Sequence, residues 1–203
     1  RFGRVPAGGA RPLRVTGPTG TVPAMTARRE EVTVDDGTFG VHVVVPDAPN
    51  GAGIVLIQEI LGVGAYITAV ADRLAGLGYC VGAPDLFWRF APGHAADHDE
   101  AGLTQSMELV GKLDPDRAVS DCLATLAHLR QLPEVTGPVG VLGFCLGATM
   151  AVASALAGDP DAVVSYYGSG VPDMVDQLGA ITAPTLLHFG GADPYIASEK
   201  VEA

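Results

Sequence analysis

The chain has 203 residues, 48% of them hydrophobic and 17% charged, which excludes an intrinsically disordered chain and suits one domain with a sizeable core. The net charge is −11 and unevenly spread: residues 1–29 hold six Arg and no acid, whereas residues 30–203 carry six basic and 23 acidic groups. Such a body repels polyphosphate and argues against a nucleic-acid partner. Pro, Gly or charge interrupts every apolar run before it reaches membrane-spanning length, so no membrane partner is expected. Cys80, Cys122 and Cys145 are odd in number and form no CxxC pair, a pattern that fits a reducing, cytoplasmic setting better than a disulfide framework.

Residues 1–24 show neither helical nor strand period, and the basic head lacks the apolar stretch of a secretory signal. They are expected to be a disordered or artefactual extension ahead of a body spanning 25–203. Within 30–45, Val32 and Val34, then Phe39, Val41, Val43 and Val45, alternate around Asp36-Gly37, which predicts a hairpin. Residues 54–58 form an unbroken apolar run, as a strand covered on both faces requires. Ile67, Val70, Leu74 and Leu77 stand at helical spacing within 65–76 and its exit. Residues 79–83 read as a strand ended by Pro84, and 100–111 as a weaker helix. Residues 115–131 read as a strong helix with Asp114 as N-cap, Pro115 first, and Val119, Leu123, Leu126 and Leu129 along one side. A strand over 139–144, a helix over 146–157 ended by Gly158, and strands over 162–167 and 185–189 follow, with a short helix near 172–179. After the hairpin, strands and helices alternate, which predicts an α/β fold with a mostly parallel, doubly wound sheet.

The strongest local signal is Gly143-Phe144-Cys145-Leu146-Gly147 between an apolar strand and a helix. This is the spacing of a nucleophile elbow, with Cys at the centre. A strand turning at once into a helix strains the central residue and lifts its side chain to the C-terminal sheet edge, where open α/β folds hold their sites. The helix N-terminus is expected to lower the Cys145 pKa, and the Leu146 N–H to face an oxyanion. The bland alternative is a small buried core thiol.

Glu59, in Gln58-Glu59-Ile60-Leu61-Gly62-Val63, leaves a strand towards the same crevice, and the Ile60 N–H could complete an oxyanion hole. Asp193, in Phe189-Gly190-Gly191-Ala192-Asp193-Pro194, follows a later strand, a fitting place for an acid that orients a catalytic His. Arg89, in Pro84-Asp85-Leu86-Phe87-Trp88-Arg89, offers a fork that fits a carboxylate. His94 and His98 stand at zinc-ligand spacing, but Ala-Pro-Gly just upstream and the lack of a helical pattern favour a solvated loop. No metal or cofactor is expected.

These stretches, with Tyr166-Tyr167-Gly168, occur in one order across residues 54–194 and resemble the dienelactone hydrolase family, an α/β-hydrolase group with a Cys nucleophile. The resemblance implies a Cys-His-Asp triad acting on a small-molecule ester or lactone that bears a carboxylate, through a thioester. On that pattern Cys145 is the nucleophile and Asp193 the His-orienting acid. Glu59 helps convert thiol to thiolate, Ile60 and Leu146 lend the oxyanion N–H groups, and Arg89 meets the substrate carboxylate. Gln58 and Leu61 depart from the family's usual His and Phe and are expected to reshape the pocket.

The family's catalytic His lies a few tens of residues beyond the Asp, near a second Arg. Here ten residues follow Asp193 and none is His. His42, His94, His98, His128 and His188 lie elsewhere in the sequence. The expectation is a hydrolase domain cut short before its last strand, helix and base, inactive as it stands and monomeric. The rival is a non-catalytic module of the same fold.

Overall fold

The computed structural model describes residues 24–202, so the patternless segment expected over 1–24 lies, but for Ala24, outside the described residues. The hairpin forms as β1 (Met25–Val34) and β2 (Gly37–Pro46), paired antiparallel from Met25↔Pro46 to Val34↔Gly37. Then come β3 (Gly53–Ile57), α1 (Ala65–Ala75), β4 (Cys80–Pro84), α2 (Glu100–Val110), α3 (Pro115–Leu129), β5 (Val139–Phe144), α4 (Leu146–Ala157), β6 (Val163–Tyr166), β7 (Thr185–His188) and α5 (Ser198–Glu202).

The strands make one seven-stranded sheet in the order β1-β2-β4-β3-β5-β6-β7. The hairpin joins antiparallel through β2 and β4, and the remaining five strands are parallel. Helices cover both faces, as the parallel pairing demands. Val55 and Ile57 of β3 and Val141 of β5 face one core with Cys122, Leu126 and Leu129 of α3 and Ala151 of α4. Leu56 and Val81 face the other with Ile67, Ala71 and Ala75 of α1. This is an α/β-hydrolase fold, a mostly parallel doubly wound sheet led by an antiparallel hairpin.

The chain runs from β3 to β4 on one side and reaches β5 on the other, so strand order reverses between β3 and β5. The loops leaving the C-terminal ends of these two strands carry Glu59 and Cys145, at the point where open α/β sheets leave a crevice.

Two elements differ from the sequence pattern. Leu77 is not part of the apolar face of α1: the helix stops at Ala75, Gly78 turns the chain at φ +95°, and Leu77 is 68% exposed. The buried face uses Ile67, Ala71 and Ala75, one residue every four. The helix expected near 172–179 forms only two 3-10 turns, Pro172–Met174 and Leu178–Ala180. α3 matches its sequence signals closely, with Asp114 Oδ1 accepting the N–H groups of Asp116 and Arg117 at 3.1 and 3.2 Å.

Candidate active site

Cys145 joins β5 to α4 with φ 52° and ψ −114°, a strained conformation for a residue with a side chain. Two backbone approaches enforce it. A Cβ on Gly143 would lie 2.7 Å from the Ala148 nitrogen, and one on Gly147 2.7 Å from the Ile57 carbonyl carbon. The turn is held further by the Cys145 N–H, which donates to the Tyr166 carbonyl at 3.0 Å. The elbow glycines thus work as the sequence spacing implies: only bare Cα atoms let the turn close against β3.

The thiol sits at the wall of a cavity of about 630 Å³ that is also lined by Ile60, Leu146, Thr149, Tyr167 and Asp193. Leu103, Met107 and Val110 of α2, with Tyr195 and Ile196, complete it. Cys145, Ile60, Leu146 and Asp193, which the sequence scatters over more than 130 positions, therefore share one cavity. Asp193 Oδ1 accepts the N–H groups of Tyr195 and Ile196 at 2.8 and 3.2 Å, which fixes the carboxyl on its loop.

Glu59 lines an adjoining cavity of about 80 Å³ with Leu61, Tyr66 and His98. It is 7% exposed, and its Oε2 accepts the Leu61 N–H at 2.7 Å. Burial pushes its carboxyl above the usual range, more than the Leu61 N–H and the nearby His98 draw it down. Its loop is pinned to the 93–98 loop: the Ala96 N–H donates to the Leu61 carbonyl at 2.9 Å, and Gly62 bridges Ala95.

The expected depression of the Cys145 pKa is not what the surroundings produce. Burial raises it, the charges of Glu59 and Asp193 raise it further, and the Leu146 N–H, which donates towards the sulfur, pulls only part of the way back. A helix N-terminus favours thiolate, but here two acids and desolvation outweigh it. The surroundings therefore favour the thiol over the thiolate.

Arg89 also departs from its expected role. Its Nε and Nη2 meet Asp36 at 2.7 and 2.9 Å, and its Nη1 and Nη2 meet Asp121 at 2.6 and 3.1 Å. Its guanidinium lies 4.3 Å from the centre of the Trp88 ring, and Trp88 Nε1 donates to Asp121 at 2.9 Å. Arg89 neutralises the fully buried Asp121 and ties the hairpin turn to α3; it faces a different cavity, with Leu86, Lys112 and Arg117. With its fork filled by two carboxylates, it does not stand as a clamp at Cys145.

Gln58, expected to reshape the pocket, is fully buried behind it. Its Oε1 accepts the Leu86 N–H at 3.1 Å and its Nε2 donates to the Glu59 carbonyl at 3.3 Å, so it braces the Glu59 loop against the exit of β4. Leu61 lies in the Glu59 cavity, not beside Cys145.

None of the five His lines the Cys145 cavity among the described residues. His188 stacks on Tyr166 at 4.5 Å, His128 pairs with Glu30, and His94 Nε2 meets Ser106 Oγ at 2.9 Å. His98 meets Tyr66 edge-on, and burial lowers the pKa of His42.

Two contributors to the cavity are given no role by the sequence. Tyr167, at φ 48°, is the other described residue besides Cys145 with a side chain and a left-handed backbone; its phenol is driven well above its usual range by burial and by Tyr66, Cys145 and Glu59. A tyrosine in a Tyr-Tyr-Gly turn was the available signal. The wall from α2 had only weak periodicity to announce it.

A sharp strand-to-helix elbow at the C-terminal edge of a mostly parallel sheet is the arrangement of the α/β-hydrolase fold. Residues 39–203 match the family model for the dienelactone hydrolase family, and the chain belongs to that family. It is 36% identical over 163 residues to a carboxymethylenebutenolidase of Pseudomonas putida, covering 80% of this chain and 69% of that one. With a carboxymethylenebutenolidase of Cupriavidus pinatubonensis it shares 32% over 164 residues, 80% of this chain and 70% of that one. Among solved structures it is similar to a dienelactone hydrolase-like promiscuous phosphotriesterase from metagenomic libraries: TM-score 0.70, 27% identity, 89% of this chain and 74% of that one.

Proposed function

We propose that this chain is a hydrolase of carboxylic esters or lactones in which Cys145 attacks the acyl carbon. The observation that carries the reading is Cys145 itself, held at φ 52° on the elbow at the wall of a cavity of substrate size. Glu59 takes the thiol proton: burial raises its basicity above that of an ordinary carboxylate. The thiolate adds to the acyl carbon, and the Leu146 and Ile60 N–H groups receive the developing oxyanion. Collapse expels the alkoxide and leaves an acyl thioester on Cys145.

Water must then release the acyl group with help from a proton acceptor. We assign Asp193 to orienting an imidazole there, as the family pattern does; no His among residues 24–202 lines the cavity. Acylation is therefore the step the described residues should deliver by themselves. Buried, unpaired Cys80 and Cys122 beside a reactive Cys145 suit a reducing cytoplasm.

The test is a stopped-flow burst with p-nitrophenyl acetate, followed by mass spectrometry of the 203-residue chain. One equivalent of nitrophenolate and one acetyl group on the Cys145 peptide are expected, with Cys145→Ala silent and Glu59→Gln slow. A burst that survives Cys145→Ala would overturn the assignment.

A further inference from the structure

Asp85 is a buried acid that the chemistry above does not use. It stands just past β4, at the wall of a cavity of about 220 Å³ that it shares with Arg29, His42 and His94, a different cavity from that of Cys145. Both of its oxygens are occupied: Oδ1 accepts the Phe87 N–H at 3.0 Å and Oδ2 the Gly93 N–H at 2.6 Å. A buried carboxylate that holds two backbone N–H groups fixes the chain between them, because either donor would be costly to strand.

These contacts belong to a closed circuit around Glu59. The fully buried Gln58 donates to the Glu59 carbonyl at 3.3 Å and accepts the N–H of Leu86, the residue after Asp85, at 3.1 Å. Asp85 in turn holds Gly93, and the same loop comes back at Ala96, whose N–H donates to the Leu61 carbonyl at 2.9 Å. Leu61 closes the ring, because its N–H donates to Glu59 Oε2 at 2.7 Å. Glu59 is thus gripped at its carbonyl by one arm and at its carboxyl by the other. The two loops touch closely: a Cβ on Gly62 would stand 2.8 Å from the His94 carbonyl carbon.

We infer that Gln58 and Asp85 are positioning residues for Glu59, acting through this circuit without touching the reacting atoms. The inference rests on the reading of Glu59 as the group that takes the Cys145 proton.

The experiment is a double-variant cycle on the acylation burst of the 203-residue chain with p-nitrophenyl acetate. Gln58→Leu removes one arm, and Asp85→Asn keeps an acceptor for only one of its two N–H groups. Each should slow the burst at least about tenfold, since misplacing a reacting group by about 1 Å costs about a hundredfold. Gln58→His, which keeps one acceptor and one donor nitrogen, should recover most of the rate. In a Glu59→Gln background the circuit has no carboxylate to aim, and Gln58→Leu and Asp85→Asn should each change the rate by less than about twofold. Rate constants are compared, not amplitudes, so loss of folded protein does not enter. Equal slowing in both backgrounds would make Gln58 and Asp85 general supports of the fold and overturn the inference, as would no slowing in either.

If no ester labels Cys145, or if Glu59→Gln acylates as fast as wild type, the reading of Glu59 as the base fails instead. The circuit is then read by iodoacetamide, because the pH midpoint of alkylation at Cys145 feels the Glu59 charge. Gln58→Leu should move that midpoint towards the Glu59→Gln value, and should leave it unmoved in the Glu59→Gln background. A midpoint that Gln58→Leu leaves in place, or moves equally in both backgrounds, defeats the inference on that route as well.

Discussion

Gly147, in the first turn of α4, lies so close to the end of β3 that a Cβ on it would stand 2.7 Å from the Ile57 carbonyl carbon. That approach sets the height of the helix N-terminus under Cys145, and so the aim of the Leu146 N–H. Gly147→Ala must push α4 away from β3. Overpacking of this kind costs about 1–3 kcal/mol, and the obstruction is backbone, so the upper end is expected. Urea denaturation should show that loss, and the acylation burst of the folded fraction should fall further than stability does. A variant with wild-type burst rate would mean that the elbow tolerates displacement.

The elbow was legible because its physics is local: strand, glycine, nucleophile, glycine and helix are contiguous, and each glycine answers a clash a few residues away. Glu59 and Asp193 were legible for the same reason, each standing just past an apolar strand. The employment of Arg89 was not. Its partners, Asp36 and Asp121, lie 53 and 32 positions away and meet it only once the hairpin turn and α3 converge. The wall from α2 was equally hidden, because its spare apolar stripe acquires meaning only beside Cys145. The direction in which the thiol's pKa moves was hidden for a related reason. A helix N-terminus is visible in sequence, whereas the desolvation and the two converging acids that outweigh it are products of the fold.

The acids beside Cys145 give its titration a definite sign. Burial, Glu59 and Asp193 raise the thiol pKa, so alkylation by iodoacetamide, which needs thiolate, should rise with pH about a midpoint above that of an ordinary cysteine. Glu59→Gln removes one of those charges and should move the midpoint down, even as it slows acyl transfer from esters. The same substitution should stabilise the fold near neutral pH. A carboxyl whose folded pKa is raised disfavours folding once pH exceeds its ordinary value, and the penalty vanishes in acid where both states are protonated. Melting curves should therefore separate wild type and Glu59→Gln at pH 7 and bring them together at low pH. A midpoint that stays put in Glu59→Gln would mean that its carboxylate does not act on Cys145.

Arg89 and Asp121 form a pair in which the acid is fully buried and the arginine 18% exposed. Removing one partner of such a pair costs about 3–5 kcal/mol, because the remaining charge is stranded. Arg89→Met should lose stability on that scale, and the double variant Arg89→Met with Asp121→Leu should regain much of it. In the folded fraction, glutaryl transfer to Cys145 from a p-nitrophenyl glutarate half-ester, taken relative to acetyl transfer from p-nitrophenyl acetate, should not move. Were Arg89 a carboxylate clamp, its loss would slow glutaryl transfer selectively while leaving stability nearly intact, so denaturation and the acylation ratio together separate the two roles.

Asp161 shows how the molecule should respond to acid. Its Oδ2 accepts the Val139 N–H at 2.8 Å, at the start of β5, and an Arg130 N–H at 3.1 Å. The Val139 N–H first, and Arg130 after it, outweigh burial and hold its pKa below the ordinary carboxylate value. Glu30 is lowered too: burial pushes it up, but Arg28 and His128 together pull it further down. A carboxyl with a depressed folded pKa adds stability above its unfolded pKa, near 4, and loses it as pH falls through the lower folded value. The urea midpoint should thus fall between pH 5 and pH 3. Asp161→Asn keeps an acceptor for the Val139 N–H but cannot titrate, so it should be less stable than wild type at pH 6 and show a smaller loss on acidification. Glu30→Gln should flatten the same limb independently, since its partners lie on β1 and α3 rather than beside β5. If Asp161→Asn keeps the full acid dependence, the Val139 and Arg130 contacts do not hold that charge in solution.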